Sequence, residues 1–269
     1  MGEKFEKINA RTMTTAIGLP IILFVVYLGG LIYYLCVALI AIFSFWEIWL
    51  VVKHQDYHPS LILGIASTLF FLFSKTLSEL FNDLKLVFTM LFFLITLEHF
   101  FMKTKKHSTI NIALTLFVAI YIGHLLSFLI ETRELVNGKT LVIFSLFTTW
   151  ANDVAAYLVG INFGKKHPFP YISPNKTLEG ALAGLLCGGL CALAFYTLIP
   201  LKISLLFILG LIAALSGQIG DLFESLIKRN FGVKDSGNLL PGLSGVLDCI
   251  DGCLFSVPIL YYAFLALLK

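Results

Sequence analysis

Charge is what this sequence has least of. Asp, Glu, Lys and Arg make up 13% of its 269 residues, about half the share of roughly 25% usual in soluble domains. Beside that scarcity stand 58% hydrophobic residues and 25 phenylalanines, which excludes an ordinary soluble globular fold. A formal net charge of +3 gives no reason to expect a nucleic-acid partner. Cysteine is sparse too, and Cys36, Cys187, Cys191, Cys249 and Cys253 all fall in or beside apolar segments. The Cys187/Cys191 and Cys249/Cys253 pairs would each share a helical face. No histidine or further cysteine converges on them, so they read as small core hydrophobes, not as zinc ligands. No stretch is polar and long enough to fold as a separate soluble unit. Residues 1–269 are therefore expected to form a single membrane domain, with N-terminal helices in 1–140 and catalytic helices and loops in 141–269.

What is present is a series of apolar runs near the ~20 residues needed to cross hydrocarbon. They cover 13–30, 32–52, 61–78, 84–102, 110–130, 140–161, 179–200, 203–225 and 249–268. The expected fold is all-α: a polytopic integral membrane protein with about nine transmembrane helices. The first run lacks a convincing cleavage site and is followed at once by another, so it reads as a membrane helix rather than a signal peptide. Thirteen of the 19 Lys and Arg residues fall on the side that holds the N-terminus. By the positive-inside rule that side is cytoplasmic, which puts the N-terminus inside and the C-terminus outside a cell inner (plasma) membrane.

Helices two to five carry few polar groups. Glu47 beside Trp46, and Glu98 beside His99, are candidate functional polar groups, though helix-end groups reaching for the interface explain them at least as well. His124 reads as a packing residue. In the sixth run Ser145, Thr149, Asp153 and Tyr157 recur every four residues, drawing a polar stripe that ends in an aspartate. The next loop holds Ser173-Pro174-Asn175-Lys176-Thr177-Leu178-Glu179-Gly180, basic and stiffened by proline. It would suit either a phosphate or lipid headgroups, or serve as an ordinary positive loop. Gly180, Gly184 and Gly188 share one face of the seventh run, which suits close helix packing or a homodimer.

The densest polar stretch is Gly220 to Gly252, with Asp221, Glu224, Asp235, Asp248, Asp251, Lys228, Arg229 and Lys234 between two apolar runs. Asp221, Glu224, Ser225 and Lys228 are spaced to line one helical face. Asp248 and Asp251 are expected on one face of the first turn of the last helix. Hard divalent cations take oxygen ligands, and magnesium often uses one or two carboxylates plus substrate phosphates. Asp221 meeting Asp248 and Asp251 would make such a site, with the basic residues neutralising phosphate. The plainer alternative is a salt-bridge network that closes a loop.

These residues resemble a known family. Ser225-Leu-Ile-Lys228-Arg229, then Lys234-Asp235-Ser236-Gly237, Pro241-Gly242, Gly245, Asp248 and Asp251 are similar to the C-terminal signature of the phosphatidate cytidylyltransferases, or CDP-diacylglycerol synthases. The likeness extends to Gly220-Asp221, to Asp153 with Ala156-Tyr157, and to the Ser173 to Gly180 loop. It implies that CTP and phosphatidate, a membrane lipid, give CDP-diacylglycerol and pyrophosphate, with Mg2+ and a second cation such as K+ as cofactors. Carried over, it implies a catalytic set of Asp221, Ser225, Lys228, Asp248 and Asp251, of which Asp221, Asp248 and Asp251 bind metal. Asp153, Lys176, Arg229, Lys234 and Asp235 form the implied substrate-binding set. The chain departs from the family pattern at Leu243-Ser244-Gly245, where the family has His-Gly-Gly, and at Asp248-Cys249, where it has Asp-Arg. An impaired family member or a cation-coupled transporter is the competing expectation. A transporter's acids should lie near the bilayer midplane, whereas these lie at helix ends beside basic loops.

Overall fold

The computed structural model describes residues 2–80, 83–101, 106–237, 239 and 245–268. The chain is all-helical, as its hydropathy requires. The helices are α1 (Gly2–Leu28), α2 (Gly30–Lys53), α3 (Leu61–Leu72), α4 (Ser74–Leu80), α5 (Leu84–Phe101), α6 (Ser108–Ala119) and α7 (Leu125–Glu134). They continue with α8 (Gly138–Phe163), α9 (Leu178–Leu193), α10 (Ile203–Asn230) and α11 (Asp251–Leu267). A π-helical turn, Ile120–His124, joins α6 to α7 without a break in the rod.

Five helical segments among the described residues are long and apolar enough to cross a membrane: Gly30–Lys53, Leu84–Phe101, Ser108–Glu134, Gly138–Phe163 and Ile203–Asn230. Met13–Leu28, Leu61–Leu72, Leu178–Leu193 and Asp251–Leu267 are shorter apolar helices that fall on the other expected runs. The protein is thus a polytopic membrane protein. Two runs are shorter than their hydropathy suggested. The third breaks at Phe73, and the seventh leaves its helix after Leu193 and turns until Ile203. Phe195 and Ile199 of that turn are buried against Phe144, Leu206 and Phe264, so apolar character there marks a core loop and not a longer helix.

The break between α1 and α2 has a local cause. Gly29 and Gly30 both adopt positive φ, at 64° and 56°, a region open to glycine at no steric cost. Arg133 of α7 fills the notch and donates from Nε to the Val26 carbonyl at 3.0 Å. A Cβ at Gly29 would meet that guanidinium at 2.5 Å.

The C-terminal helices sit closer together. The glycine face of α9 packs inside the chain: a Cβ at Gly184 would meet Asn152 Oδ1 of α8 at 2.5 Å, and one at Gly188 would meet Ala214 of α10 at 2.8 Å. That face is therefore taken up within one molecule. Where α10 crosses the start of α11, a Cβ at Gly220 would meet the Asp251 carbonyl at 2.6 Å. Thr149 of α8 completes the seam with a buried 2.8 Å hydrogen bond to Ser256 of α11.

Candidate active site

The site is built where α10 ends, where α11 begins, and where the loops before α9 and α11 return. Because α10 stays helical to Asn230, Asp221, Glu224 and Lys228 share its inner face. The close crossing at Gly220 brings that face against Asp251 at the start of α11. Oxygen atoms of Asp221, Glu224 and Asp251 lie within 4.8 Å of one another. Glu224 is fully buried; its Oε2 accepts from Lys228 Nζ at 2.6 Å, and its Oε1 has no hydrogen-bond partner among the described residues. Such a buried, unsatisfied carboxylate oxygen is costly unless a ligand completes it.

Asp248 is not one of the three. The expectation that Asp248 and Asp251 share the first turn of a helix is corrected by the backbone. Leu247–Cys249 form a 3-10 turn, Ile250 leaves helical geometry at φ −121°, and α11 starts only at Asp251. That change of phase turns Asp248 towards Lys228, whose Nζ it accepts at 2.6 Å through Oδ1. Its Oδ2 accepts from the N–H groups of Gly245 at 2.8 Å and Ser236 at 3.3 Å. Burial is the largest single influence on the Asp248 carboxyl and pushes it up, but the Lys228 ammonium together with the hydrogen bonds around the carboxylate outweighs it, and the net direction is down. Lys228 thus bridges Glu224 and Asp248, the salt-bridge network weighed above, and the three carboxylates stand beside it.

Around this centre, Lys176 Nζ reaches Asp221 Oδ2 at 2.8 Å from the loop before α9. The rest of that loop motif is structural. Thr177 caps α9, its hydroxyl accepting from Gly180 N–H at 3.1 Å, and Glu179 Oε2 accepts from the N–H groups of Lys165 and Lys166. Arg229 ties two loops, donating to the carbonyls of Ile172 at 3.2 Å and Val233 at 3.1 Å. Asp153 is exposed on α8 and accepts from Asn152 Nδ2 at 2.8 Å. Ser225 is buried one residue after Glu224, while Lys234 and Asp235 lie exposed on the loop after α10. Cys249 Sγ donates to the Gly245 carbonyl at 3.4 Å. Leu243 lies outside the described residues.

Of two further groups near the site, the sequence reading named Glu47 as a candidate polar group and passed over Gln218. Glu47 of α2, expected to reach for the interface, is fully buried and accepts three hydrogen bonds from the chain around α11's approach. The signal was present: a short carboxylate between Trp46 and Trp49 cannot snorkel as Lys or Arg does. Gln218 of α10 donates to Asn152 Oδ1 at 2.6 Å and to the Ala181 carbonyl at 2.9 Å, joining α8, α9 and α10. Nothing in its spacing marked it. His99 likewise turns inward, with Nδ1 2.8 Å from the Ile95 carbonyl.

With this geometry in place, the relationship to other proteins is decisive. The family model for the cytidylyltransferase family matches residues 9–267. The chain belongs to the cytidylyltransferase family. A phosphatidate cytidylyltransferase of Staphylococcus saprophyticus is 34% identical over 254 residues, covering 94% of this chain and 97% of that one. Proteins of the same name from Staphylococcus epidermidis and Staphylococcus aureus are 33% and 32% identical over 256 residues, with the same coverage. The likeness therefore includes the N-terminal helices, where the sequence offered no motif.

Proposed function

We propose that this protein transfers the cytidylyl group of CTP to the phosphate of phosphatidate, giving CDP-diacylglycerol and pyrophosphate at the cytoplasmic face of a bacterial plasma membrane. The observation that carries this reading is the family match over nearly the whole chain, at 34% identity to a relative named for that activity. The charge bias of the loops supports the orientation, with the N-terminus inside and the C-terminus outside. A cation-coupled transporter is not favoured, since the relatives that match end to end are named as transferases.

The donor set fits a hard divalent ion such as Mg2+: three carboxylates, one of them with an unsatisfied buried oxygen. Asp221, Glu224 and Asp251 would hold it, and K+ is the expected second cation. When bound, such ions neutralise triphosphate charge and polarise the α-phosphorus. The protein's own groups do the rest. Lys228, fixed between Glu224 and Asp248, sets the spacing of the carboxylates and is not free to grip phosphate. Asp248 is accordingly a positioning group in this reading. Lys176, from the loop before α9, and Arg229, from the last turn of α10, meet phosphate oxygens, and Lys176 exchanges its Asp221 partner for substrate. Ser225 and Asp153 order the walls, and Lys234 and Asp235 are exposed to an incoming nucleotide. A phosphate monoester is already ionised at neutral pH, so the attacking oxygen needs no strong general base.

The test is incorporation of labelled CTP into lipid by purified, monodisperse protein given phosphatidate, with Mg2+ or with a chelator. Lipid-borne label that requires Mg2+ is expected, and Asp251→Asn should lower the rate about a hundredfold or more. Folded protein that forms no labelled lipid overturns the activity. An Asp251→Asn variant as fast as wild type overturns the ligand assignment.

A further inference from the structure

We infer that Glu47 is a positioning residue for this reaction, holding the turn that carries Asp248 in register with α10. Its carboxylate crosses from α2 to a segment some 200 positions away, accepting from Val246 N–H at 2.8 Å, Leu247 N–H at 2.9 Å and Ser236 Oγ at 3.2 Å. Those two N–H groups open the 3-10 turn Leu247–Cys249 and are the donors a helix start leaves unpaired. Glu47 therefore caps that turn from another helix, which also satisfies a carboxylate that is 0% exposed.

The glycines on either side belong to this contact. A Cβ at Gly237 would meet Glu47 Oε1 at 2.7 Å, and one at Gly245 would meet Glu47 Oε2 at 2.6 Å as well as the Ser236 hydroxyl. Only a backbone without side chains can come this close to the carboxylate. From the capped turn the connection runs through Asp248 to Lys228 and from Lys228 to Glu224. Glu47 touches none of the three gathered carboxylates, yet it fixes the turn that anchors Lys228 behind one of them.

The inference rests on the proposed activity for its kinetic arm only. Glu47→Gln sets an amide N–H against one of the donors it must accept. Its kcat should fall about ten- to a hundredfold, with the KM for phosphatidate within about twofold of wild type. In the same preparation Cys249, which sits on the capped turn, should react faster with a maleimide, read at its own peptide by mass spectrometry. Gly245→Ala should reproduce both changes. Glu47→Asp keeps the charge but is one methylene short, and should fall between wild type and Glu47→Gln in both measurements; it replaces Glu47→Gln if that variant fails to fold. Unchanged kcat with unchanged Cys249 labelling overturns the inference. So does a lowered melting temperature with normal kcat per folded molecule and normal labelling, which is what a purely structural carboxylate would give. If wild type makes no lipid product, the activity falls, while faster Cys249 labelling in Glu47→Gln still upholds the hold on the turn.

Discussion

Two ion-pair clusters in this protein have nearly the same bond lengths and very different surroundings. In one, Lys75 meets Glu134 at 2.8 Å with side chains 46% and 34% exposed, and Tyr34 donates to the same glutamate. In the other, Lys228 meets Glu224 and Asp248 at 2.6 Å, and the three are 13%, 0% and 14% exposed. Distance alone would rank them together. Water screens the first pair and lets either partner do without the other, whereas in the second each charge depends on its neighbours for the solvation it has lost. The second cluster is also continuous with three gathered carboxylates, whereas the first has Tyr34, Glu131 and Tyr261 around it. Burial and connection, more than pairing, separate the candidate site from a decorated helix end.

The sharpest way to break this comparison is to remove the shared cation. Lys228→Ala leaves Glu224 and Asp248 buried without a counter-charge and should cost about 3–5 kcal/mol of stability, seen as a large fall in melting temperature and in recovery from detergent. A Lys228→Ala protein as stable as wild type would show that the cluster is wetter than its burial implies. A smaller effect comes from acid. The folded Asp248 holds its proton less readily than the unfolded chain does, so its contribution is complete above the unfolded value of about 3.9. It is lost as pH falls through the lower folded value. Melting temperature should therefore drop more steeply below about pH 4 in wild type than in Asp248→Asn. Parallel curves would remove Asp248 from the linkage. Smallest of all, Lys75→Ala should change stability by less than about 1 kcal/mol and leave the lipid-labelling rate as it was. A loss comparable with that of Lys228→Ala would erase the distinction between the two clusters.

Much of the fold was legible because hydropathy is a local sum. Each expected apolar run coincides with a described helix or short apolar helix, and the Gly29-Gly30 break stands where it was read. The seventh run came out short for a reason no window average contains: Phe195 and Ile199 are apolar because a core covers them, not because lipid does. At the site, the helical spacing of Asp221, Glu224 and Lys228 was readable since α10 continues to Asn230. The pairing of Asp248 with Asp251 was not, because it assumed one unbroken helical phase through Cys249 and Ile250. Glycines that stand in the sequence only as parts of the signature have structural uses: Gly220 serves a helix crossing, and Gly237 and Gly245 make room for Glu47.

By itself, then, the sequence determined that this is a helical membrane protein with a block of acids and bases at a helix end. It determined as well that the block resembles a cytidylyltransferase signature. Composition, period and motif spacing are properties of neighbouring residues, and they survive being read in one dimension. Only the tertiary structure decided which acids meet. Glu224 joins Asp221 and Asp251 because α10 and α11 cross at a glycine, Asp248 turns to Lys228 because a 3-10 turn shifts its phase, and Glu47 arrives from α2 across some 200 residues. Each depends on how close two backbones come, and that distance is set by packing that no local stretch of sequence encodes.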